Sequence, residues 1–350
     1  MAWQREVYEG LRPLLFAADA EWIHGVTLTA LRRVAEGSYG RTLLSHLASD
    51  RPAGSWASRP EEHMGLRFRN PVGLAAGMDK DAESLMGWEA LGFGFAEVGT
   101  VTPQGQPGSA RPRVWRLQED DALVNRMGFN NRGAAALVDR VTRARPWLPP
   151  DFVVGVSVGR GATTPDEAAE EDYTQAVRMV APVADYVAVN VSSPNTEGVA
   201  ALGEPDRLAA LVMSLSAVEP AKPLVVKLSP DLPTDRLTAI VQALSDTPAA
   251  GLVLSNTSTS RSGLHRSLPA GAERGGLSGR PLLPGMLAAI GTVKGLTKDR
   301  FTLVASGGIF SGADARRARE AGADLVQLWT GLVFAGPGLI GEVVEALTSG

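Results

Sequence analysis

Eight short apolar runs that alternate with helical patterns limit what this chain can fold into. The apolar runs lie at 72–76, 95–99, 153–158, 185–191, 223–228, 250–255, 301–306 and 323–328. The helical patterns lie at 81–91, 131–145, 166–183, 204–218, 233–246, 284–294, 311–321 and 337–348. This alternation is typical of a parallel sheet built from βαβ units, and eight units in 350 residues favour a (β/α)8 barrel of the TIM type. A doubly wound open sheet fits less well, because the first strand–helix junction lacks the Gly-x-Gly-x-x-Gly pattern.

The fourth apolar run leads into an unusually polar segment. Residues 190–196 read Asn-Val-Ser-Ser-Pro-Asn-Thr. Polar side chains at the end of a buried strand are costly to bury unless they bind something, and amides and hydroxyls suit a small, flat ligand. Taken alone, the segment fits an Asx or Ser/Thr turn equally well.

Polar or small residues follow the other strands too. They are Ala75–Lys80, Thr100, Ser157, Gly159, Lys227, Ser255–Thr257, Ser306–Gly308 and Trp329–Gly331. In a barrel all of these share the C-terminal face, where active sites lie. The glycines after the seventh and eighth strands fit a phosphate site, because bare backbone N–H groups can approach an anion there.

Taken together, these residues resemble the dihydroorotate dehydrogenase family in its class 2, quinone-linked form. The segments that carry the resemblance are Gly73–Lys80, Thr100–Pro103, Asn125–Asn131, Asn190–Thr196, Lys227–Leu232, Gly275–Pro281 and Gly307–Ile309. They cover about residues 70 to 335 in the family's order. The resemblance implies one bound FMN per chain, oxidation of dihydroorotate to orotate in pyrimidine synthesis, and a membrane quinone as electron acceptor.

The resemblance also implies roles for individual residues. The expected FMN neighbours are Ala76, Gly77, Lys80, Thr100, Ser157, Asn190, Lys227, Ser255, Gly279, Gly308, Trp329 and Thr330. The expected substrate contacts are Lys80, Asn125, Met127, Gly128, Phe129, Asn190, Asn195, Asn256 and Thr257. Ser193 holds the place of the class 2 catalytic base, and Thr196 is a candidate for the relay that removes its proton. The quinone site matches His24, Arg116 and Trp329.

The expected chemistry explains these residue types. An unperturbed serine hydroxyl is a poor base, so Ser193 needs a nearby acceptor or water relay. Lys227 can stabilise the negative charge of a reduced flavin, and Lys80 can pair with the orotate carboxylate. The asparagines match the donors and acceptors of an imide edge.

Composition narrows the function classes. The chain has no cysteine, which removes disulfides, iron–sulfur ligands and the cysteine base of the class 1 relatives. Its four histidines show no metal-binding spacing. A net charge of −4 without a basic run makes nucleic acid an unexpected partner.

The sequence predicts a small separate unit at the N-terminus. Residues 1–48 are expected to form two amphipathic helices, the second capped by Asp19, followed by a linker at 49–62 and the barrel at 63–350. Two such helices ahead of a barrel could simply cover its bottom. Given the resemblance, we favour a quinone tunnel and a peripheral contact with the inner face of the cell membrane, in a cytoplasmic protein without a membrane-spanning segment.

Several positions depart from the family pattern. Ser157 stands where an asparagine is usual, and Trp329 where a tyrosine is usual. Glu197 and Ala200 replace a proline and an arginine in the expected lid.

The sequence leaves three alternative hypotheses open. They are a dihydrouridine synthase-like flavin barrel, a phosphosugar isomerase barrel without flavin, and a non-catalytic protein attached to a membrane by its N-terminal helices.

Overall fold

The computed structural model describes residues 2–50, 59–192 and 204–349. Eight parallel strands close into a barrel, in which β1 pairs with both β2 and β8. The strands are β1 (Val72–Leu74), β2 (Phe95–Val101), β3 (Val153–Val158), β4 (Tyr186–Asn190), β5 (Leu224–Leu228), β6 (Ala249–Leu254), β7 (Thr302–Ser306) and β8 (Leu325–Leu328). The predicted (β/α)8 barrel is confirmed, and each strand lies within three residues of its predicted bounds.

Twelve α-helices occur in the described residues. They are α1 (Ala2–Ala17), α2 (Ala20–Ala35), α3 (Ser38–Ala48), α4 (Leu85–Ala90), α5 (Ala134–Ala144), α6 (Ala169–Val180), α7 (Pro205–Val218), α8 (Thr234–Ser245), α9 (Leu283–Thr297), α10 (Gly312–Glu320), α11 (Thr330–Ala335) and α12 (Gly338–Thr348). The sequence predicts two N-terminal helices, and the structure has three within residues 2–50. The third helix buries Leu44 and Ala48 in the main core, so it belongs to the packed molecule.

Three small sheets decorate the barrel. A hairpin of Glu61–His63 and Leu66–Phe68 closes its bottom, where Phe68 packs on Phe95 of β2. This hairpin begins within the segment 49–62 that was expected to be a linker, and residues 51–58 lie outside the described part. An antiparallel sheet of Val114–Leu117, Ala122–Asn125 and Gly276–Gly279 stands over the C-terminal rim, and Gln104–Gln106 pairs with Asn131–Gly133 beside it.

Alternation along the strands divides the side chains between two cores. Odd-numbered residues of β2 and β5, such as Phe95 and Val225, point into the barrel with Tyr186 and Leu325. Their neighbours point outward and pack under the helices in one large cluster. The barrel interior is therefore apolar near its bottom, and polar side chains follow toward the C-terminal rim.

Specific hydrogen bonds fix the N-terminal helices to the rim. Asp19 caps α2 by accepting from the backbone N–H groups of Glu21 and Trp22, as predicted. The buried Arg113 donates to both carboxylate oxygens of Glu21, at 2.6 and 3.0 Å. Burial alone would raise the pKa of Glu21, but hydrogen bonds from Arg113 and its neighbour Arg111 lower it. The start of α2 is thus held to the loop that leads to the rim sheet.

Further contacts hold α1 and the turn that follows it. Tyr8 donates to the carbonyl of Val333 at 2.6 Å, and Arg12 donates to that of Phe334 at 3.0 Å. Arg116 donates to the carbonyls of Phe16 and Ala18, at 3.1 and 2.7 Å. The helices therefore form one wall of a space whose other wall is the barrel mouth.

Candidate active site

A cavity of about 690 Å³ begins at the C-terminal rim of the barrel and continues between the rim and the N-terminal helices. Its rim end is lined by polar side chains: Lys80, Asn125, Asn190, Lys227, Asn256 and Thr257. Its other end is lined by apolar side chains: Leu15, Ile23, Val26, Ala30, Leu31, Val34, Leu44 and Leu47. One continuous space therefore offers two different environments.

Nearly all predicted site residues that the structure describes meet at this cavity. Those predicted for the flavin are Ala76, Gly77, Lys80, Thr100, Asn190, Lys227, Ser255, Gly279, Gly308, Trp329 and Thr330. Those predicted for the substrate are Lys80, Asn125, Met127, Gly128, Phe129, Asn190, Asn256 and Thr257. His24, Arg116 and Trp329 line it as well. Ser193, Asn195 and Thr196 lie outside the described residues.

A chain of hydrogen bonds connects the polar residues at the rim. Asn190 at the end of β4 donates to the Thr100 hydroxyl at 2.9 Å, and its amide oxygen accepts from Asn256 at 3.2 Å. Asn256 also donates to the Ser192 hydroxyl at 2.9 Å. Ser157 is fully buried and does not line the cavity; its hydroxyl lies 2.9 Å from that of Thr100. Ser157 thus supports Thr100 from behind, and its predicted flavin contact stays a prediction.

Both predicted lysines lie on the cavity lining, where Lys227 is buried and Lys80 is half-buried. Lys80 donates to the carbonyl of Gly77 at 2.9 Å, and burial lowers its pKa to about 8. Lys227 pairs in register with Asn190 across β4 and β5 and is 5% exposed. Burial lowers its pKa, while the charge of Glu97 opposes that change. Two cations on the lining of one cavity favour an anionic ligand.

Two glycines, Gly308 and Gly279, expose bare backbone on the cavity lining. Gly308 has φ +76°, and a Cβ there would lie 2.5 Å from the backbone nitrogen of Leu283. Gly279 has φ +110° and lies at the end of the rim sheet, next to Ala122. Larger residues are excluded from both positions on steric and conformational grounds. The site thus combines bare backbone, cations and amides, which fits a flat anionic ligand.

A polar cluster behind Lys227 was missed by the sequence analysis. Glu97, Tyr186 and Gln327 lie in the barrel interior, all 2% exposed or less. The available signal was a single glutamate in the otherwise apolar run Phe95–Val98. A charge in a fully buried strand requires a partner, and here the nearest cation is Lys227, at 3.8 Å.

The apolar end of the cavity contains two polar side chains that are already engaged. His24 donates from Nε2 to the carbonyl of Met78 at 2.7 Å, and its ring lies edge-on to Trp329, at 6.1 Å between centroids. Burial lowers the pKa of His24 to about 4, with a contribution from the charge of Lys80. Arg116 lies over the Phe16 ring at 4.8 Å. His24 is therefore neutral at physiological pH.

Comparisons with known proteins decide the family. A family model described as dihydroorotate dehydrogenase matches residues 60–349. The chain is 43% identical over 349 residues to a protein of Cupriavidus taiwanensis named dihydroorotate dehydrogenase (quinone), covering 97% of this chain and 98% of that protein. This chain belongs to the dihydroorotate dehydrogenase family. A protein of the same name from Bordetella parapertussis is 42% identical over 351 residues, covering 98% of this chain and 97% of that protein.

Solved structures of other dihydroorotate dehydrogenases agree with this assignment. The Eimeria tenella enzyme in complex with ferulenol superposes with a TM-score of 0.85 at 32% identity, covering 97% of this chain and 93% of that chain. Its ligand-free form gives 0.83 at 31% identity and covers 94% of each chain. The predicted resemblance to the class 2, quinone-linked dihydroorotate dehydrogenases is confirmed. The synthase-like, isomerase and non-catalytic alternatives are set aside.

The depressed pKa of His24 predicts a loss of stability in mild acid. The unfolded chain binds a proton at this residue below its ordinary pKa of 6.5, whereas the folded protein does so only near 4. Stability is therefore fully present above pH 6.5 and falls as the pH drops toward 4, by about 2 kcal/mol at pH 5. We expect the melting temperature of His24→Gln to fall less than that of the unmodified protein between pH 7.5 and 5.

Thermal melts in matched buffers measure this difference. His46→Gln is the control, because His46 is exposed on α3, and this variant should follow the unmodified protein. Equal acid losses in the unmodified protein and His24→Gln would contradict the prediction.

Proposed function

We propose that this chain oxidises dihydroorotate to orotate in pyrimidine synthesis, with FMN in the barrel mouth and a membrane quinone as the final electron acceptor. The observation that carries the proposal is the single cavity with a polar, cation-lined end and an apolar end. A polar heterocyclic anion suits the first end and a hydrophobic quinone suits the second. One cavity would thus serve both half-reactions around one cofactor.

Bound FMN would supply the hydride acceptor, and the chain's residues would orient it and stabilise its charge. The backbone at Gly307–Gly308 and Thr330–Gly331 would hold the phosphate. Thr100, Asn190 and Gly279 would border the ring system. The Lys227 ammonium, fixed in the wall, would face the negative charge that reduction places on the ring.

The substrate would lie against the amides at the rim. Asn125, Asn190 and Asn256 line the cavity there, and their donors and acceptors match an imide edge. With Asn195 they would fix the ring, while Met127, Gly128, Phe129 and Thr257 complete the wall. Lys80, whose pKa is about 8, is mostly charged at neutral pH and would pair with the carboxylate.

Ser193 would remove the proton from the substrate ring as the adjacent carbon loses its hydride. A serine hydroxyl needs an acceptor for its own proton, and Thr196 or a water would provide the relay. These residues follow Ser192, which already hydrogen-bonds to Asn256. Ser192, the last residue described before this segment, thus lies beside one of the proposed substrate amides.

Quinone would enter between the N-terminal helices and reach the flavin past Trp329. His24 presents a neutral ring beside Trp329, and Arg116 borders the same space. Nη1 of Arg116 donates to the carbonyls of Phe16 and Ala18, where α1 ends and the turn to α2 begins. The other N–H groups of Arg116 would donate to a quinone carbonyl. Trp329 offers an N–H donor and more bulk than a tyrosine, which would narrow the passage.

The helices would also touch the membrane surface. Several large apolar side chains on α1 and α2 are exposed: Trp3, Val7, Leu11, Leu14, Trp22, Val26 and Val34. Within residues 2–50, 59–192 and 204–349, no helix is long and apolar enough to cross a membrane. Arg12 of α1 and Arg41 of α3 donate to backbone carbonyls. Arg32 and Arg33 are exposed in the last turn of α2 and would therefore face anionic lipid. We infer a peripheral contact on the cytoplasmic face, strengthened by anionic lipid.

The cofactor and the first half-reaction can be tested together. Purified protein should be yellow, release one FMN per chain on acid precipitation, and bleach when dihydroorotate is added without oxygen. Chromatography and absorption spectra measure these outcomes. A protein that yields FAD, or that cannot be reconstituted with FMN, would overturn the proposed cofactor.

Replacement of the proposed base should separate binding from chemistry. Ser193→Ala should slow flavin reduction by dihydroorotate by roughly 10²- to 10⁴-fold, because the proton loses its acceptor, while FMN content stays normal. Ser192→Ala is the matched control and should change substrate affinity more than the rate of reduction. Stopped-flow single turnovers measure both, and near-normal reduction in Ser193→Ala would move the role to another group.

Filling the apolar end should block only the second half-reaction. Ile23 lines that end on α2, so Ile23→Trp should reduce reoxidation by a hydrophobic quinone in detergent several-fold. Flavin bleaching by dihydroorotate and turnover with a small soluble dye should persist. Arg33→Trp places the same bulk on an exposed position of α2 and serves as control. Equal losses with quinone and dye would show that the change disturbs the barrel instead.

A further inference from the structure

A carboxylate lies behind Lys227, on the side away from the cavity. Glu97 of β2 points into the barrel and is 0% exposed. Its Oε2 accepts from the Tyr186 hydroxyl at 3.1 Å and from Gln327 Nε2 at 2.9 Å. Among the described residues its Oε1 has no hydrogen-bond partner, and it lies 3.8 Å from Lys227 Nζ. The carboxylate is thus fixed by two donors on one oxygen and turned toward the ammonium with the other.

This arrangement is an unusual use of a barrel interior. The layer beneath is apolar and contains Phe95, Val225, Val253 and Leu325. A buried ion pair adds little stability over hydrophobic residues of equal volume, because both charges lose their hydration. Stability alone therefore gives no reason for Glu97, and its place beside a cavity-lining lysine suggests a role in the site.

The charge of Lys227 depends on few groups. Burial disfavours its ammonium, and the charge of Glu97 supports it. Tyr186 is held neutral, because burial and the neighbouring carboxylate raise its pKa far above the ordinary value. Gln327 carries no charge, and Lys80 across the same cavity is another cation. In the described part of the chain, Glu97 is thus the anion that acts on Lys227.

We propose that Glu97 is a positioning residue, which holds the Lys227 side chain at the cavity wall in its charged form, so that this ammonium faces the flavin in both oxidation states. Tyr186 and Gln327 fix the carboxylate for this purpose. The inference rests on the proposed FMN site. It implies that the carboxylate sets the flavin's midpoint potential without touching the flavin.

The test is the pH dependence of that potential in Glu97→Gln. Without the carboxylate, the buried ammonium loses its proton at a lower pH. Above that pH we expect reduced FMN to bind about tenfold less tightly relative to oxidised FMN than in the unmodified protein. That ratio lowers the two-electron potential by about 30 mV. At pH 6, with Lys227 protonated, the potential should equal or exceed that of the unmodified protein. The potentials of the two proteins are subtracted at each pH, because the intrinsic pH dependence of the flavin is the same in both and cancels.

Matched variants separate this role from a structural one. Glu97→Asp retains the charge and should restore most of the potential at high pH. Asp324→Asn removes a half-buried carboxylate at the bottom of the barrel, one that accepts from the backbone N–H of Leu303, and should show no pH-dependent difference. In a Lys227→Met background, Glu97→Gln should have no further effect. A shift that persists in that background would mean that Glu97 does not act through Lys227, and would overturn the proposal.

The outcomes also distinguish this inference from the proposed function. If the unmodified protein cannot bind FMN, both fail. If the unmodified protein binds FMN, and the flavin midpoint potential of Glu97→Gln equals that of the unmodified protein from pH 6 to 9, only the role of Glu97 is overturned. If Glu97→Gln does not fold, Tyr186→Phe decides instead. It removes one of the two donors that fix the carboxylate and should shift the potential in the same direction, by less. An unchanged potential in Tyr186→Phe would then overturn the proposal.

Discussion

Closure of the parallel barrel is the constraint on which the rest of the structure depends. Because β1 pairs with both β8 and β2, all eight strands end at the same rim, and residues far apart in sequence meet there. Asn190 contacts Thr100 and Asn256 only because their strands are brought together in this way. The period of two along each strand then decides which side chains face the interior. It places Phe95 at the bottom of the barrel and Glu97 one layer higher, next to Lys227.

The cavity combines two kinds of environment that a smaller site could not separate. At the rim, lysines and amides provide fixed dipoles and charges, which act more strongly away from bulk water. At the helices the lining is mainly apolar, and the charged Arg116 there already donates to the carbonyls of Phe16 and Ala18. Trp329 contacts His24 of α2, and its Nε1 also lies close to Gly77 at the rim. Such a boundary would let one flavin serve a polar reductant and a hydrophobic oxidant.

Periodicity predicted the barrel because alternating strands and helices leave a regular pattern, and the bounds differ by only a few residues. The rim residues followed from their places after the strands. The third N-terminal helix, Ser38–Ala48, was missed because its few buried positions depend on contacts with the barrel. The predicted flavin contact of Ser157 stays a prediction; its short side chain hydrogen-bonds to Thr100. The Glu97 cluster was also missed, because its partners Tyr186 and Gln327 come from strands 89 and 230 residues away, and nothing local connects them.

The bond between Glu21 and Arg113 has a consequence for how this protein can change over time. It joins the start of α2 to the rim loop across 92 residues of sequence, and Arg113 is almost wholly enclosed. Loss of Glu21 would leave Arg113 buried without this counter-charge, and loss of Arg113 would leave Glu21 paired with the exposed Arg111. Substitutions in the helical segment and in the barrel are therefore coupled at this pair. A chimera that takes its N-terminal helices from a distant relative would need residues that match at both position 21 and position 113.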